Sequence, residues 1–114
     1  GPREIIAAHI DGRIAGVVIL KKNDAERERK ICTLYVLDEF RRKGLATALL
    51  SEAFVRLGTT RPLITIADYK VGMFESIIKK YRWRKTQVLD VGRYTNHSKE
   101  FVYNEWRNLE PKEA

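Results

Sequence analysis

A run of three cations followed by glycine, Arg41-Arg42-Lys43-Gly44-Leu45-Ala46, carries the residue types best suited to chemistry in this sequence. A strand pattern precedes the run and a helical pattern follows it, so the run would lie where a helix begins. Backbone N–H groups lack partners there, and the helix dipole makes that end positive. Gly44 would let the backbone approach a ligand, and arginine can hold a phosphate through two parallel hydrogen bonds. The run therefore predicts a binding loop for a diphosphate.

Two other phosphate-binding loops are excluded by their spacing. The nucleotide-hydrolase loop requires Lys and then Ser or Thr directly after its last glycine, but Leu45 follows Gly44. The dinucleotide fingerprint requires three glycines, and this loop has one.

The surrounding pattern predicts six strands and two helices, which form a mixed, mostly antiparallel central sheet with two helices packed on it, an α/β (α+β) fold. The strands are predicted at residues 4–10, 14–20, 31–37, 62–67, 83–94 and 100–106. Asp11-Gly12 predicts a hairpin turn, and the charged residues 21–30 predict a loop. One helix is predicted at 44–57 and ends before Gly58. The second is predicted to begin at Asp68 as its N-cap, with an apolar face formed by Met73, Phe74, Ile77, Ile78 and Tyr81.

The loop and its flanking elements together resemble the GNAT superfamily of N-acetyltransferases. The signature of that superfamily is Arg or Gln, two free positions, Gly, one free position, then Gly or Ala, which Arg41, Gly44 and Ala46 match. The family's preceding strand typically ends in Leu-x-Val, as Leu34-Tyr35-Val36 does here. The order of strands and helices also resembles that of the family, from residue 4 to about residue 103.

This resemblance implies that the chain binds acetyl-CoA as a cosubstrate. The strand at 34–36 would splay from the strand at 62–67, and the pantetheine arm would bond to the main chain of Leu34 and Val36. The acetyl carbonyl would lie near Val36, and the N–H groups of residues 42–47 would hold the pyrophosphate. The acceptor amine would attack the thioester directly, in a ternary complex. The implied cofactor-binding residues are Leu34, Tyr35, Val36, Arg41, Arg42, Lys43, Gly44, Leu45, Ala46 and Thr47.

The sequence also departs from the family pattern. Many members carry a general-base Glu on the strand before the loop, where Lys30 stands here, with Glu28 nearby. Ile78 stands at the position of the family's Tyr acid, which makes Tyr81, one helical turn further on, the candidate catalytic acid. The alternative, which the apolar stripe of the helix favours, is that Tyr81 is an aromatic residue that closes the core-facing side. Arg42 replaces a common Gly. The family's N-terminal strand and helices, which shape the acceptor side, have no counterpart in these residues. Three explanations stay open: a minimal member of the family, a trimmed chain, or a site that another chain completes.

The length of 114 residues predicts one domain over residues 3–107, with a tail at 108–114. Gly1-Pro2 is typical of the scar left by tag removal. A single cysteine, Cys32, excludes an internal disulfide, so a cytoplasmic setting is expected, and one cysteine with two histidines predicts no metal site. No apolar run is long enough to span a membrane.

The net charge of +7 favours anionic partners. A second basic cluster could meet a CoA phosphate, a tRNA-like acceptor or only solvent, and it comprises Lys79, Lys80, Arg82, Arg84 and Lys85.

Three functions remain open from the sequence. The first is N-acetyl transfer from acetyl-CoA to a primary amine of undefined identity. The second is a catalytically weak or inactive domain that binds CoA and serves regulation. The third is a basic adaptor for nucleic acid or an acidic protein on the same fold. A homodimer is also expected, because unpaired strand edges favour association.

Overall fold

The computed structural model describes residues 3–91 and 99–105. Gly1–Thr59 belongs to one compact unit and Thr60–Ala114 to a second. Each unit has a three-stranded sheet in which every described pair of neighbouring strands is antiparallel, and each contributes one α-helix. The predicted α+β class is confirmed.

The first unit begins with three strands in the order β1 (Arg3–Ile10), β2 (Arg13–Asn23) and β3 (Glu28–Val36). The predicted hairpin turn joins β1 to β2. Both of its residues have a positive φ, 52° at Asp11 and 78° at Gly12, which is the backbone twist that a two-residue hairpin requires.

The prediction of a loop over residues 21–30 is wrong. β2 continues to Asn23 and β3 begins at Glu28, so only residues 24–27 form the turn. The charged residues pair across the strands, and Lys21 Nζ lies 3.5 Å from Glu28 Oε1. Arg29 Nη2 also lies 2.6 Å from Asp24 Oδ1. The backbone ladder, with one ion pair across it and one at the turn that ends it, outweighs the composition that predicts a loop.

The helix of the first unit, α1 (Leu45–Leu57), packs on this sheet. Its buried residues recur at helical spacing and are Leu49, Leu50, Ala53, Phe54 and Leu57. The helix ends as predicted at Gly58, which adopts φ 73° and donates its N–H to the Phe54 carbonyl at 2.8 Å.

Gly16 on β2 allows α1 to approach the sheet closely. A Cβ added there would lie 2.9 Å from the Tyr35 carbonyl oxygen and 3.1 Å from Leu49 Cδ1. The first distance is shorter than real side chains show, so any larger residue must displace either β3 or α1.

The second unit contains β4 (Ile64–Ala67), α2 (Glu75–Tyr81), β5 (Lys85–Asp90) and β6 (Lys99–Tyr103), with the strands in the order β4-β6-β5. The predicted strands at 83–94 and 100–106 extend into residues 92–98 and 106, which lie outside the described residues.

The second predicted helix is only partly correct. Asp68–Phe74 forms a 3₁₀ helix, and α-helical structure begins at Glu75. Asp68 does not cap it, because its Oδ2 accepts a hydrogen bond from the Lys99 N–H at 3.2 Å. Gly72, a poor α-helix former, lies within the 3₁₀ segment, and Met73 is 65% exposed rather than part of a core face.

Replacing Gly16 with Ala should lower the free energy of unfolding by about 1–3 kcal/mol, because the methyl group overpacks the space between α1 and β3. Gly72→Ala is the matched control, since nothing lies within 4 Å of an added Cβ there. Urea unfolding measures both variants. Equal stability of Gly16→Ala and the parent chain would contradict this packing.

Candidate cofactor-binding site

One 3₁₀ turn, Asp38–Phe40, joins β3 to the predicted phosphate loop. Phe40 anchors the turn, because its ring is only 8% exposed and lies 5.5 Å from the guanidinium carbon of Arg13. Arg13 Nη2 also donates to Glu39 Oε1 at 2.8 Å. The point at which the chain enters the loop is therefore fixed by a buried aromatic ring and an ion pair to β2.

The main-chain groups at the end of β3 have a defined direction. The Leu37 N–H donates to the Ala15 carbonyl at 2.9 Å and therefore faces β2. Because these groups alternate along a strand, those of Tyr35 also face β2, whereas those of Leu34 and Val36 point away from it. β3 is the last strand in its sheet. This direction agrees with the predicted bonds to a pantetheine arm, which stay a prediction.

The loop backbone adopts the left-handed conformation twice, with φ 64° at Arg42 and 77° at Gly44. No heavy atom lies within 4 Å of a Cβ added at Gly44, so its backbone conformation, and not a lack of space, requires glycine there. Arg42 has no such freedom, and the left-handed conformation costs an L-residue about 1–2 kcal/mol. The loop therefore holds Arg42 in a conformation that favours glycine.

No side chain caps the beginning of α1. Gly44 is the N-cap residue and forms no side-chain cap bond, and the first turn contains no acidic residue. The first helical bond runs from the Ala48 N–H to the Gly44 carbonyl at 3.0 Å. The N–H groups of Leu45, Ala46 and Thr47 therefore begin the helix without a side-chain acceptor, which suits an anionic ligand.

The three cations of the loop are exposed but differ in their contacts. Arg41 folds back, so that its Nε donates to the Val36 carbonyl at 3.2 Å and its Nη2 lies 3.2 Å from Asp38 Oδ1. Among the described residues, neither Arg42 nor Lys43 has an ion-pair partner. Arg41 thus holds the loop against β3, and Arg42 and Lys43 supply charge for a ligand.

The candidate general base, Glu28, lies far along β3 from the position at which the thioester is predicted. Glu28 lies on β3, not in a loop, and its buried Oε1 lies 3.5 Å from Lys21 Nζ but accepts no hydrogen bond. It stands eight positions before Val36, and at roughly 3.3 Å per residue the two are about 26 Å apart along the strand. Glu28 therefore cannot act directly on a thioester at Val36, and Lys30 on the same strand is a cation.

Tyr81 is the last residue of α2, in the second unit, and is half-buried. Its carbonyl accepts a hydrogen bond from Arg61 Nε at 3.1 Å, and Lys80 Nζ lies 5.3 Å from its ring centroid. Neither contact involves the phenol oxygen, so the role of Tyr81 as an acid stays a prediction.

Sequence reasoning missed the residues that support the loop, namely Gly16, Arg13, Glu39 and Phe40. A glycine inside a strand was the available signal for Gly16.

Among the described residues, no group of three metal-ligating side chains exists, and no helix is long and apolar enough to cross a membrane.

Residues 1–61 match the family model for the acetyltransferase (GNAT) family. The matched range includes β1, β2, β3, the loop and α1, and it covers more than half of the chain. Comparison with the curated proteins finds no significant match.

Solved structures share the fold. The ribosomal-protein-S18-alanine N-acetyltransferase from Escherichia coli superposes with a TM-score of 0.72 and 14% identity, over 89% of this chain and 66% of that one. An acetyltransferase from Bacillus subtilis in complex with CoA superposes with a TM-score of 0.71 and 17% identity, over 89% of this chain and 74% of that one. An IAA acetyltransferase from Bacillus cereus superposes with a TM-score of 0.71 and 15% identity, over 87% of this chain and 74% of that one. The chain thus spans from 66% to 74% of the length of these three proteins.

The two glycines at the ends of α1 allow a matched test of the site. Gly44→Ala and Gly58→Ala should each lower the free energy of unfolding by about 1–2 kcal/mol, because both glycines have a positive φ and open space around them. Only Gly44→Ala should weaken acetyl-CoA binding, measured by calorimetry. Equal affinity in the two variants would contradict a cofactor site at the start of α1.

Proposed function

Because the chain belongs to the acetyltransferase (GNAT) family, we propose that it is an N-acetyltransferase that moves the acetyl group of acetyl-CoA to a primary amine. One observation carries the proposal. The first unit joins an uncapped helix start, which lacks acidic residues, to a strand whose end directs main-chain groups away from its sheet. A cofactor with a diphosphate at one end and amides along its arm matches both features.

The phosphate end of the cofactor would bind at the loop. The N–H groups of residues 42–47 would donate to the pyrophosphate, as helix N-termini do for anions. Arg42 and Lys43, which have no ion-pair partners among the described residues, would add charge. The exposed positions of Ala46 and Thr47 leave the first turn of α1 accessible.

The pantetheine arm would bond to the main chain of Leu34 and Val36, in the manner of an added strand. The Val36 carbonyl, however, already accepts a hydrogen bond from Arg41. A cofactor amide that donates a hydrogen bond to the Val36 carbonyl must displace the guanidinium of Arg41. The guanidinium would then be free to approach the phosphates. Arg41 would thus couple the two ends of the cofactor.

The transfer itself needs little covalent help from the protein. A neutral amine forms the new C–N bond at the acetyl carbon, and the C–S bond breaks. The attacking nitrogen, which becomes positively charged, loses one proton to solvent, and the CoA thiolate takes up one proton. Correct placement of the two reactants can supply up to about 7–11 kcal/mol in the best-oriented cases. The outward N–H of Val36 would stabilise the developing oxyanion, and we propose the Tyr81 phenol as the proton donor to the thiolate.

A second candidate is a CoA-binding domain with weak or no catalysis. It is favoured by Lys30, which stands where many relatives carry the general base, and by the distance of Glu28 from Val36 along β3. The acceptor amine stays undefined under either proposal, and a homodimer stays a prediction.

Arg42→Asn should weaken acetyl-CoA binding about 10- to 100-fold, because a hydrogen bond to a charged group contributes about 1.5–3 kcal/mol. Asn tolerates the left-handed backbone at this position, so the fold should be retained. Lys22→Asn is the control, since it removes an exposed cation from β2. Arg42→Asn should bind acetyl-pantetheine, which lacks the pyrophosphate, as well as the parent chain does. An equal loss for both ligands would refute the phosphate role of Arg42.

Thiol release from acetyl-CoA over a panel of primary amines separates the two candidates. The enzyme proposal predicts turnover on at least one amine. Tyr81→Phe should lower kcat by about 10²- to 10⁴-fold, the usual contribution of a general acid, with acetyl-CoA affinity unchanged. Saturable binding without turnover on any amine would instead favour the second candidate.

A further inference from the structure

Five cations lie within seven consecutive positions at the end of α2 and the beginning of β5. We name them the basic strip, and they are Lys79, Lys80, Arg82, Arg84 and Lys85. All five are exposed, and in the described part of the chain none of them pairs with a carboxylate. In the first unit, by contrast, Arg13, Arg29 and Arg56 each contact a carboxylate, although Arg42 and Lys43 of the loop do not.

The backbone beneath the basic strip is firmly held. Trp83, only 6% exposed, donates its Nε1–H to the Thr60 carbonyl at 2.7 Å and its N–H to the Ile78 carbonyl at 2.9 Å. Buried Asn104 accepts from the Arg84 N–H at 3.0 Å and donates its own N–H to the Arg84 carbonyl at 2.8 Å. The cations therefore project from a fixed chain, which reduces the ordering that a partner would require.

Two side chains of the strip rest on aromatic rings. Lys85 Nζ lies 4.3 Å from the ring centroid of Phe101, and Lys80 Nζ lies 5.3 Å from that of Tyr81. Such cation–π contacts restrict the long side chains without neutralising their charge.

The fold alone explains only part of the strip. Lys79 and Lys80 lie in the last turn of α2, where cations complement the helix dipole. Arg82 follows as the C-cap residue with φ 57°, a conformation that favours glycine. Arg84 and Lys85 have no helix end to stabilise, and the repulsion among five cations opposes folding. A partner with negative charge would account for the whole strip.

We propose that the basic strip binds the phosphodiester backbone of a nucleic acid. Arg82 and Arg84 are both exposed, two positions apart in sequence, on either side of buried Trp83. Each guanidinium can bind one phosphate through two hydrogen bonds.

The surface between the cations favours nucleic acid over an acidic protein. Tyr81 is half-buried and Trp83 is buried, so the strip exposes charge without a large exposed aromatic anchor between its cations. Protein interfaces depend on such anchors, whereas sequence-independent binding of a phosphate backbone depends on cations alone. This function goes beyond the proposed acetyl transfer and does not depend on it.

The test is fluorescence anisotropy of a labelled DNA duplex, and of a single-stranded RNA, with the full chain at a series of salt concentrations. If all five cations contact phosphates, log K should fall with log salt at a slope of up to about −4.5 on the duplex. The variant Lys79→Gln/Arg82→Asn/Arg84→Gln should flatten that slope by about 3. If that variant is unfolded by circular dichroism, Lys80→Gln/Lys85→Gln should flatten it by about 2.

The matched control is Arg3→Gln/Lys22→Gln/Lys70→Gln, which also removes three charges from the net +7 but leaves the strip intact. It should keep the parent slope. If the slope of log K against log salt flattened equally in the test and control variants, the proposal would be overturned, because net charge alone would then explain binding. Polyglutamate that competes as well as the nucleic acid would also overturn it. Weaker acetyl-CoA binding with unchanged nucleic-acid affinity would overturn it too, and would assign the strip to a CoA phosphate.

Discussion

The beginning of α1 needs hydrogen-bond acceptors that the chain does not supply. Gly44 has no side chain with which to cap the helix, and the first turn contains no carboxylate that could balance its positive end. A soluble helix commonly begins at Ser, Thr, Asp or Asn, which would fill this gap. The sequence instead places three cations immediately before it. Backbone and side chains thus concentrate positive charge at one point, and that point defines the candidate site.

The rest of the first unit positions this helix start. Gly16 leaves room for Leu49 of α1 and for the main chain of β3 at one point on β2, so the helix packs closely on the sheet that leads into the loop. Phe40 is buried under Arg13 and fixes the turn between β3 and the loop. Arg41 then bonds to the Val36 carbonyl and connects the loop to the end of the strand. The phosphate end and the strand end of the site are consequently parts of one hydrogen-bonded segment.

Local signals in the sequence predicted the elements whose conformation depends on one or two residues. Asp11-Gly12 specifies its turn because both residues accept a positive φ, and Gly58 ends α1 for the same reason. The apolar spacing of α1 likewise identifies its buried face. The resemblance of Arg41, Gly44 and Ala46 to the GNAT signature was sufficient to predict the family, which the match over residues 1–61 confirms.

Features that depend on tertiary contacts were not predictable in the same way. Residues 21–30 look like a loop by composition, but cross-strand pairs such as Lys21 with Glu28 hold most of them in strands. Asp68 has the residue type of a helix cap, yet it bonds to Lys99, which is 31 positions away in sequence. Arg41 was expected to add charge for phosphate, and only the structure shows its bond to Val36. In each case a contact formed only in the folded chain, and not the local residue type, determines the outcome.

Hydrogen–deuterium exchange with and without acetyl-CoA tests the central claim most directly, because that claim concerns particular backbone N–H groups. The account predicts slower exchange at residues 42–47 and at Leu34 and Val36 when the cofactor is bound, with little change at Gly58 at the far end of α1. Saturating acetyl-CoA that leaves exchange at residues 42–47 unchanged, or that slows exchange only elsewhere, would contradict it.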